Sequence, residues 1–267
     1  MPLVEIQSTH NPFRYTLAIE PHLCVGPPGK QFLFGGAGLA ASIAALEAAT
    51  QRPTVWATAQ YLSYARPPAV MDLDVLVPVS GKHSSQARVI GHLADTEILT
   101  VNAALGSRPG DISEQWAVAP KVPPPEDCPI REHSWSRDNI DLHSLFEERA
   151  IKGRFGTQRE GGASEDGHAL LWVRPKDPAT AIDRVALAVI ADFLPSGIGS
   201  ALGRHAGGNS LDNTIRIRGL VDTDWVLCDI RIHAVHAGFG HGRMHLFARD
   251  GTLLATASQS LIIRVFD

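Results

Sequence analysis

Two stretches of this chain repeat one another at a constant separation of 155 positions. Asp74 falls on Asp229, Arg88 on Arg243, Asp95 on Asp250 and Leu99 on Leu254, each pair 155 apart and without a gap. The match extends to residue type: Asp95-Thr96-Glu97-Ile98-Leu99 against Asp250-Gly251-Thr252-Leu253-Leu254 is in both cases an acidic turn entering an apolar strand. The chain is therefore read as an internal duplication. At the same offset Asp192, Ser210 and Gln259 fall on Ala37, Val55 and Ala104, so the polar groups of the second copy meet apolar residues in the first. That asymmetry predicts one reactive centre, not two.

The 267 residues accommodate two units of about 120 residues and a connector. A hydrophobic content of 44% supplies both cores. The net charge of −4 and the scattered Lys and Arg give no electrostatic footprint for nucleic acid, so none is expected as a partner. Cys24, Cys128 and Cys228 are odd in number and lack paired spacing, which suits free thiols in a reducing cytoplasm. No uninterrupted apolar run approaches about 18 residues and the first residues carry no leader-like pattern, so neither a membrane span nor export is expected.

Phe13 to Ile19 reads as a strand, and the Pro/Gly-rich VGPPGK loop leads to Phe34-Gly35-Gly36. Ala37 to Ala49 is almost all Ala, Leu, Ile and Ser, a helix with no polar face that other structure must wrap. Strand-like runs follow at Thr54–Leu62, Val70–Pro78, Gln86–Leu93 and Ile98–Leu105, close enough in sequence to be antiparallel neighbours. The expected boundaries are a first unit over 1–108, a linker over 109–140 marked by Pro123-Pro124-Pro125, and a second unit over 141–267. In the second unit Ala169–Val173 is the first strand, a helix is expected over Ala186–Gly203, and strands over Thr214–Ile217, Trp225–Val235, Arg243–Ala248 and Leu253–Val265.

Three polar residues interrupt otherwise apolar segments. Asp192 follows the run Val185 to Ala191, and a buried carboxylate costs several kcal/mol, roughly, unless it is partnered. It reads either as an N-cap for the turn that holds Pro195 or as a reactive group, and the two roles are compatible. Ser210 closes Gly207-Gly208-Asn209-Ser210, read as a turn ahead of a strand, and Gln259 interrupts the last apolar strand. A carboxylate, a hydroxyl and an amide together can orient one water, with Asp192 accepting its proton. The Gly35-Gly36 pair opens a helix whose first N–H groups are unpaired, so Gly36 and Ala37 are expected to donate to a carbonyl that approaches over the glycines.

Phe34-Gly35-Gly36, Ala191-Asp192-Phe193-Leu194, Ser210-Leu211-Asp212-Asn213, Asp224-Trp225-Val226-Leu227, and Ala257-Ser258-Gln259 with Arg264 resemble the acyl-CoA thioesterase II family over nearly the whole chain. The resemblance implies an α+β double hotdog, in which each repeat is an antiparallel sheet wrapped around a central helix. It also implies an acyl-CoA substrate, no cofactor or metal, assembly into homo-oligomers, and a water-activating set of Asp192, Ser210 and Gln259 with Gly35, Gly36 and Ala37 at the carbonyl. A silent acyl-CoA or acyl-chain binder is the alternative. The chain departs from the family at Asn213, where a His is common, and at Ala37-Gly38, where a Gln or His is common. A hotdog hydratase is disfavoured because position 197, where its His is expected, is Gly.

Other signals are weaker. Gly36-Ala37-Gly38-Leu39-Ala40-Ala41 matches a dinucleotide fingerprint, but no acidic residue follows at the end of the next strand. His233 and His236, three residues apart, fall on opposite faces of a strand, and with His241 and His245 they read as solvated or core histidines. Gly208-Asn209-Ser210-Leu211-Asp212 lacks the last Gly of a nucleophile elbow, and a strand follows it instead of a helix.

Overall fold

The computed structural model describes residues 3–131, 140–153 and 162–266. The first repeat comprises β1 (Gln7–Ser8), β2 (Arg14–Ile19), β3 (Cys24–Val25), β4 (Phe32–Leu33), α1 (Gly35–Thr50), β5 (Thr54–Tyr61), β6 (Ala69–Ser80), β7 (Ser84–Leu93) and β8 (Thr96–Gly106). The second comprises β9 (Phe146–Lys152), β10 (His168–Pro175), α2 (Arg184–Ala191), α3 (Gly197–Leu202), β11 (Ala206–Ser210), β12 (Asp212–Ile217), β13 (Val226–His236), β14 (Phe239–Ala248) and β15 (Leu253–Val265). One sheet runs through both in the order β1-β2-β6-β7-β8-β5-β12-β15-β14-β13-β10-β9, with β11 added on β15. This is the antiparallel α+β architecture expected from the sequence.

The two repeats meet at β5 and β12, which pair antiparallel. Thr58 and Thr214 lie opposite each other there, and their hydroxyls are 2.7 Å apart. Each also has an equivalent partner on its other side, Asn102 for Thr58 and Ser258 for Thr214, so this pair marks the pseudo-twofold axis.

Strand register refines the repeat. β7 and β14 keep the 155-residue separation, but Gly91 pairs with Leu99 whereas its counterpart Leu246 pairs with Ala255, so beyond that turn the separation is 156. The turn of the second copy is longer, with Gly251 at φ 87°. On this register the counterpart of Gln259 is Ala103 instead of Ala104. Ser210, which pairs with Leu261 as Thr54 pairs with Leu105, corresponds to Thr54 instead of Val55. The helices follow neither offset, since α1 starts at Gly35 and α2 at Arg184; Ala37 is therefore not the structural counterpart of Asp192.

α1 is buried from Gly36 through Ile43 and again at Ala45 and Leu46, as a helix without a polar face must be. α2 starts conventionally, with the Asp183 carboxylate accepting the Ala186 N–H at 2.8 Å. The single helix expected over 186–203 is instead broken. Asp192 N–H bonds back to Val189 and Phe193 N–H to Ile190, a tightening into 3-10 geometry that ends in a turn at Leu194–Ser196 before α3 resumes. Pro195 has no N–H to continue the ladder, which accounts for the break at this point. The segment Arg184–Leu202 is long and apolar enough to cross a membrane by length and composition, although Asp192 interrupts its apolar run. In the fold it is core, two-thirds buried and kinked in its middle.

The main core lies between the helices and the inner face of the sheet. A second cluster, Leu170, Trp172, Trp225, Leu227 and Phe247 with Cys128, sits on the outer face of the second repeat. β10 is buried on both faces because the connector lies across it: Ala117, Ala119 and Val122 pack on this cluster, and Trp172 Nε1 donates to Pro123 O at 3.0 Å. Gln115 ties the strap to the β14–β15 turn through Gly251 O and Leu253 N–H. Residues 132–139 of the expected linker lie outside the described residues. The strand β9 beside β10 was not foreseen from the sequence.

Candidate active site

α1 and α2 run antiparallel, so the N-terminus of α1 abuts the C-terminal end of α2, where the chain leaves the helix at Asp192. The Asp192 side chain is 4% exposed, and Oδ2 accepts the Gly36 N–H at 2.7 Å. The expected N-cap role is thus corrected in direction. Asp192 does not cap the turn of its own repeat; it caps the helix of the other. Gly36 permits this approach, since a Cβ there would stand 2.8 Å from Asp192 Cβ, Phe34 Cε1 and Val189 O.

The other carboxylate oxygen gathers the two remaining polar residues. Ser210 Oγ donates to Asp192 Oδ1 at 3.0 Å, and Gln259 Nε2 donates to the same atom. Ser210 is not in a turn as expected but ends β11, whose pairing with β15 fixes the hydroxyl. Gln259 is 3% exposed on the inward face of β15, beside Ala257 and Leu261. All three sequence-expected residues are therefore brought together, though the donors bind the carboxylate directly.

Burial raises the Asp192 pKa to about 6, against the lowering influence of the hydrogen bonds from Gln259, Gly36 and Ser210 and of nearby His143. The group is a carboxylate at neutral pH yet basic enough to accept a proton.

Asp192, Ser210 and Gly35 border a cavity of about 550 Å3 walled by both repeats, with Phe34, Tyr61, Tyr64 and Leu99 from the first and Phe193 and His205 from the second. The expected donors at the helix start fare unequally. Gly36 N–H is engaged by Asp192 and Ala37 N–H bonds Phe34 O at 3.0 Å, so neither is free for a ligand. Gly35 N–H makes no hydrogen bond among the described residues, and Gly35 faces the cavity.

Sequence reasoning missed three neighbours. The Tyr61 hydroxyl, both amide atoms of fully buried Asn213, and Gln259 Oε1 are buried polar atoms with no partner in hydrogen-bond geometry among the described residues. His143 packs against Phe34 and Phe193, the chain neighbours of Gly35 and Asp192, and its Nδ1 lies 3.1 Å from buried Glu148. Asn213 carried a signal as a departure from the family pattern; Tyr61 and His143 carried none.

The position related by the pseudo-twofold is different. There Glu47 accepts the Thr54 N–H at 2.7 Å and faces Arg184 Nε at 3.7 Å, while Ala103 and Ala57 replace Gln259 and Asn213. A carboxylate and a hydroxyl-bearing residue persist, but the amides are gone and a guanidinium stands beside the acid.

Comparison with known proteins agrees with this architecture. A family profile described as the acyl-CoA thioesterase C-terminal domain matches residues 125–263. A solved structure of a provisionally assigned thioesterase from Novosphingobium aromaticivorans is 36% identical, with TM-score 0.85, covering 96% of this chain and 97% of that one. A hot dog fold protein of unknown function from Alicyclobacillus acidocaldarius has TM-score 0.81 at 19% identity, over 98% of this chain and 96% of that one. The acyl-CoA thioesterase II of Mycobacterium marinum has TM-score 0.76 at 19% identity, over 99% and 98%. No match was found among curated proteins. The profile spans half of the chain and the Novosphingobium structure nearly all of it, so the chain belongs to the acyl-CoA thioesterase family and has a double-hotdog fold.

Proposed function

We propose that the protein hydrolyses acyl-CoA thioesters with Asp192 as the general base that activates water. The observation that carries this reading is the convergence of Ser210 Oγ, Gln259 Nε2 and Gly36 N–H on one buried carboxylate at a cavity wall. Three donors fix the carboxylate in one orientation, and burial raises its pKa to about 6, close to the value a base needs near neutral pH. Oδ2 keeps a lone pair beyond its bond to Gly36, and the cavity admits water and acyl group together.

In this reading water attacks the thioester carbonyl carbon as Asp192 takes its proton. The carbonyl oxygen gains charge while it lies against the start of α1, where Gly35 N–H and the helix dipole favour it. Collapse of the tetrahedral species breaks the C–S bond, and the departing thiolate takes the proton from Asp192. The products are the free acid and coenzyme A. Ser210 and Gln259 act by holding the base, and Ser210 forms no bond to the acyl group.

Asp192→Asn keeps the shape and removes the base, so turnover on an acyl-CoA series is expected to fall by about 100-fold or more. Release of free thiol measures it. A folded variant with parental turnover would refute the role of Asp192. Tight binding without turnover by the parent across the series would favour the silent acyl-CoA binder.

A further inference from the structure

Resting on that hydrolytic reading, we infer that Tyr61 is a further catalytic residue, whose hydroxyl donates a hydrogen bond to the thioester carbonyl oxygen as negative charge develops on it, and that Asn213 positions Tyr61.

The argument starts from what the helix start can no longer supply. Of the first three N–H groups of α1, Gly36 is taken by Asp192 and Ala37 by Phe34 O, which leaves Gly35 alone. A single donor is a weak stabiliser for a tetrahedral oxyanion, which such sites commonly meet with two. Tyr61 is the neighbour able to complete the pair. It ends β5 on the inward face, anchored by its N–H to Leu211 O at 3.0 Å, and its ring lines the cavity.

Its hydroxyl is close to the reacting groups. A Cβ built on Gly35 would lie 2.8 Å from Asp192 Oδ2 and 3.1 Å from Tyr61 Oη, so the base, the free N–H and the phenol surround one point at the helix start. That hydroxyl is buried and has no hydrogen-bond partner among the described residues, although Tyr61 as a whole is partly open to the cavity. A phenol deprived of a partner in this way is costly unless a ligand meets it. Burial and the adjacent Asp192 carboxylate push its pKa well above the ordinary value, so it stays protonated and can only act as donor to an anion.

Asn213 occupies the next inward position across the seam, opposite Ala59, and is fully buried. It works against the rise that burial gives the Tyr61 pKa, as a neighbouring amide donor does, and neither of its amide atoms has another hydrogen-bond partner among the described residues. On the register of the repeats its counterpart is Ala57, so this amide belongs to the reactive half alone.

The test is steady-state hydrolysis of an acyl-CoA by Tyr61→Phe, Asn213→Leu, the double variant and Asp192→Asn, each with a melting curve. Tyr61→Phe is expected to lower kcat roughly 10- to 100-fold with KM within about twofold and an unchanged melting temperature. Asn213→Leu is expected to lose part of that, and the double variant no more than Tyr61→Phe alone, since one residue acts through the other. A kcat within twofold of the parent for Tyr61→Phe, while Asp192→Asn is inactive, overturns the inference and leaves the hydrolytic reading standing. A raised KM with parental kcat overturns it too, by placing Tyr61 in ground-state binding. Additive losses overturn the positioning role of Asn213. Full activity in Asp192→Asn would sink the hydrolytic reading itself and this inference with it.

Discussion

Asp192 is held against its own preference. Its native pKa of about 6 lies above the ordinary carboxyl value, so between roughly pH 4 and 6 the native state binds more protons than the unfolded chain. Stability therefore falls as pH rises through that window, and at neutral pH the ionised group costs the fold up to about 3 kcal/mol. Activity moves the other way, rising as the base ionises near pH 6. Asp192→Asn is thus expected to melt no lower than the parent at pH 7.5, and higher if the full cost is present, with the difference shrinking toward pH 4. Gln259 can accommodate the amide by flipping, because its Oε1 has no partner among the described residues. Calorimetry of both proteins across this range checks the sign; a variant less stable than the parent only at neutral pH would contradict it. The same residue shows how far side-chain chemistry could be read from sequence. Asp192, Ser210 and Gln259 stood out because each interrupts an apolar pattern, whereas Tyr61 ends an ordinary strand. Asn213 is distant from it in sequence and comes near only after β5 and β12 pair.

At the scale of elements, the strap across β10 is expected to be a stabilising part that catalysis does not need. Trp172 is 4% exposed beneath it and bonds Pro123 O, on the face of β10 opposite the helices. Trp172→Ala is expected to cost roughly 3–5 kcal/mol, the range for truncating a buried aromatic, and to open residues 107–124 to protease. Turnover of the still-folded variant at low temperature is expected to stay within about twofold, and a loss comparable to that of Asp192→Asn would show that the strap shapes the cavity. Elements with strong local composition were legible: runs rich in β-branched or aromatic residues between turn signals marked β5 to β8, and a helix without a polar face announced α1. β11 escaped because Gly207-Gly208 offers no side-chain alternation, and its strand exists through its pairing with β15. The break after Ala191 escaped because the apolar run continues through it, although Pro195 was the visible cause.

Across the whole molecule, the two copies are joined by one β5–β12 seam and by the antiparallel pair α1 and α2. The duplication was legible from four matched residues; the shift from 155 to 156 was not, because only register reveals a longer turn. The proposed reactive set is shared across this seam, since Gly35, Gly36 and Tyr61 come from the first repeat and Asp192, Ser210 and Gln259 from the second. A fragment of residues 141–267 is therefore expected to show no hydrolysis, and adding residues 1–108 to restore it only where the two reassociate; activity in the isolated fragment would place the whole reactive set in the second repeat. The capping of one repeat's helix by the other's acid has a consequence for synthesis. Its members are spread from position 35 to position 259, so an interrupted translation product lacks Gln259 and leaves the carboxylate without one of its donors. On the hydrolytic reading, chains that stop short of β15 are expected to be inactive, because the strand that lies between β12 and β14 carries this donor.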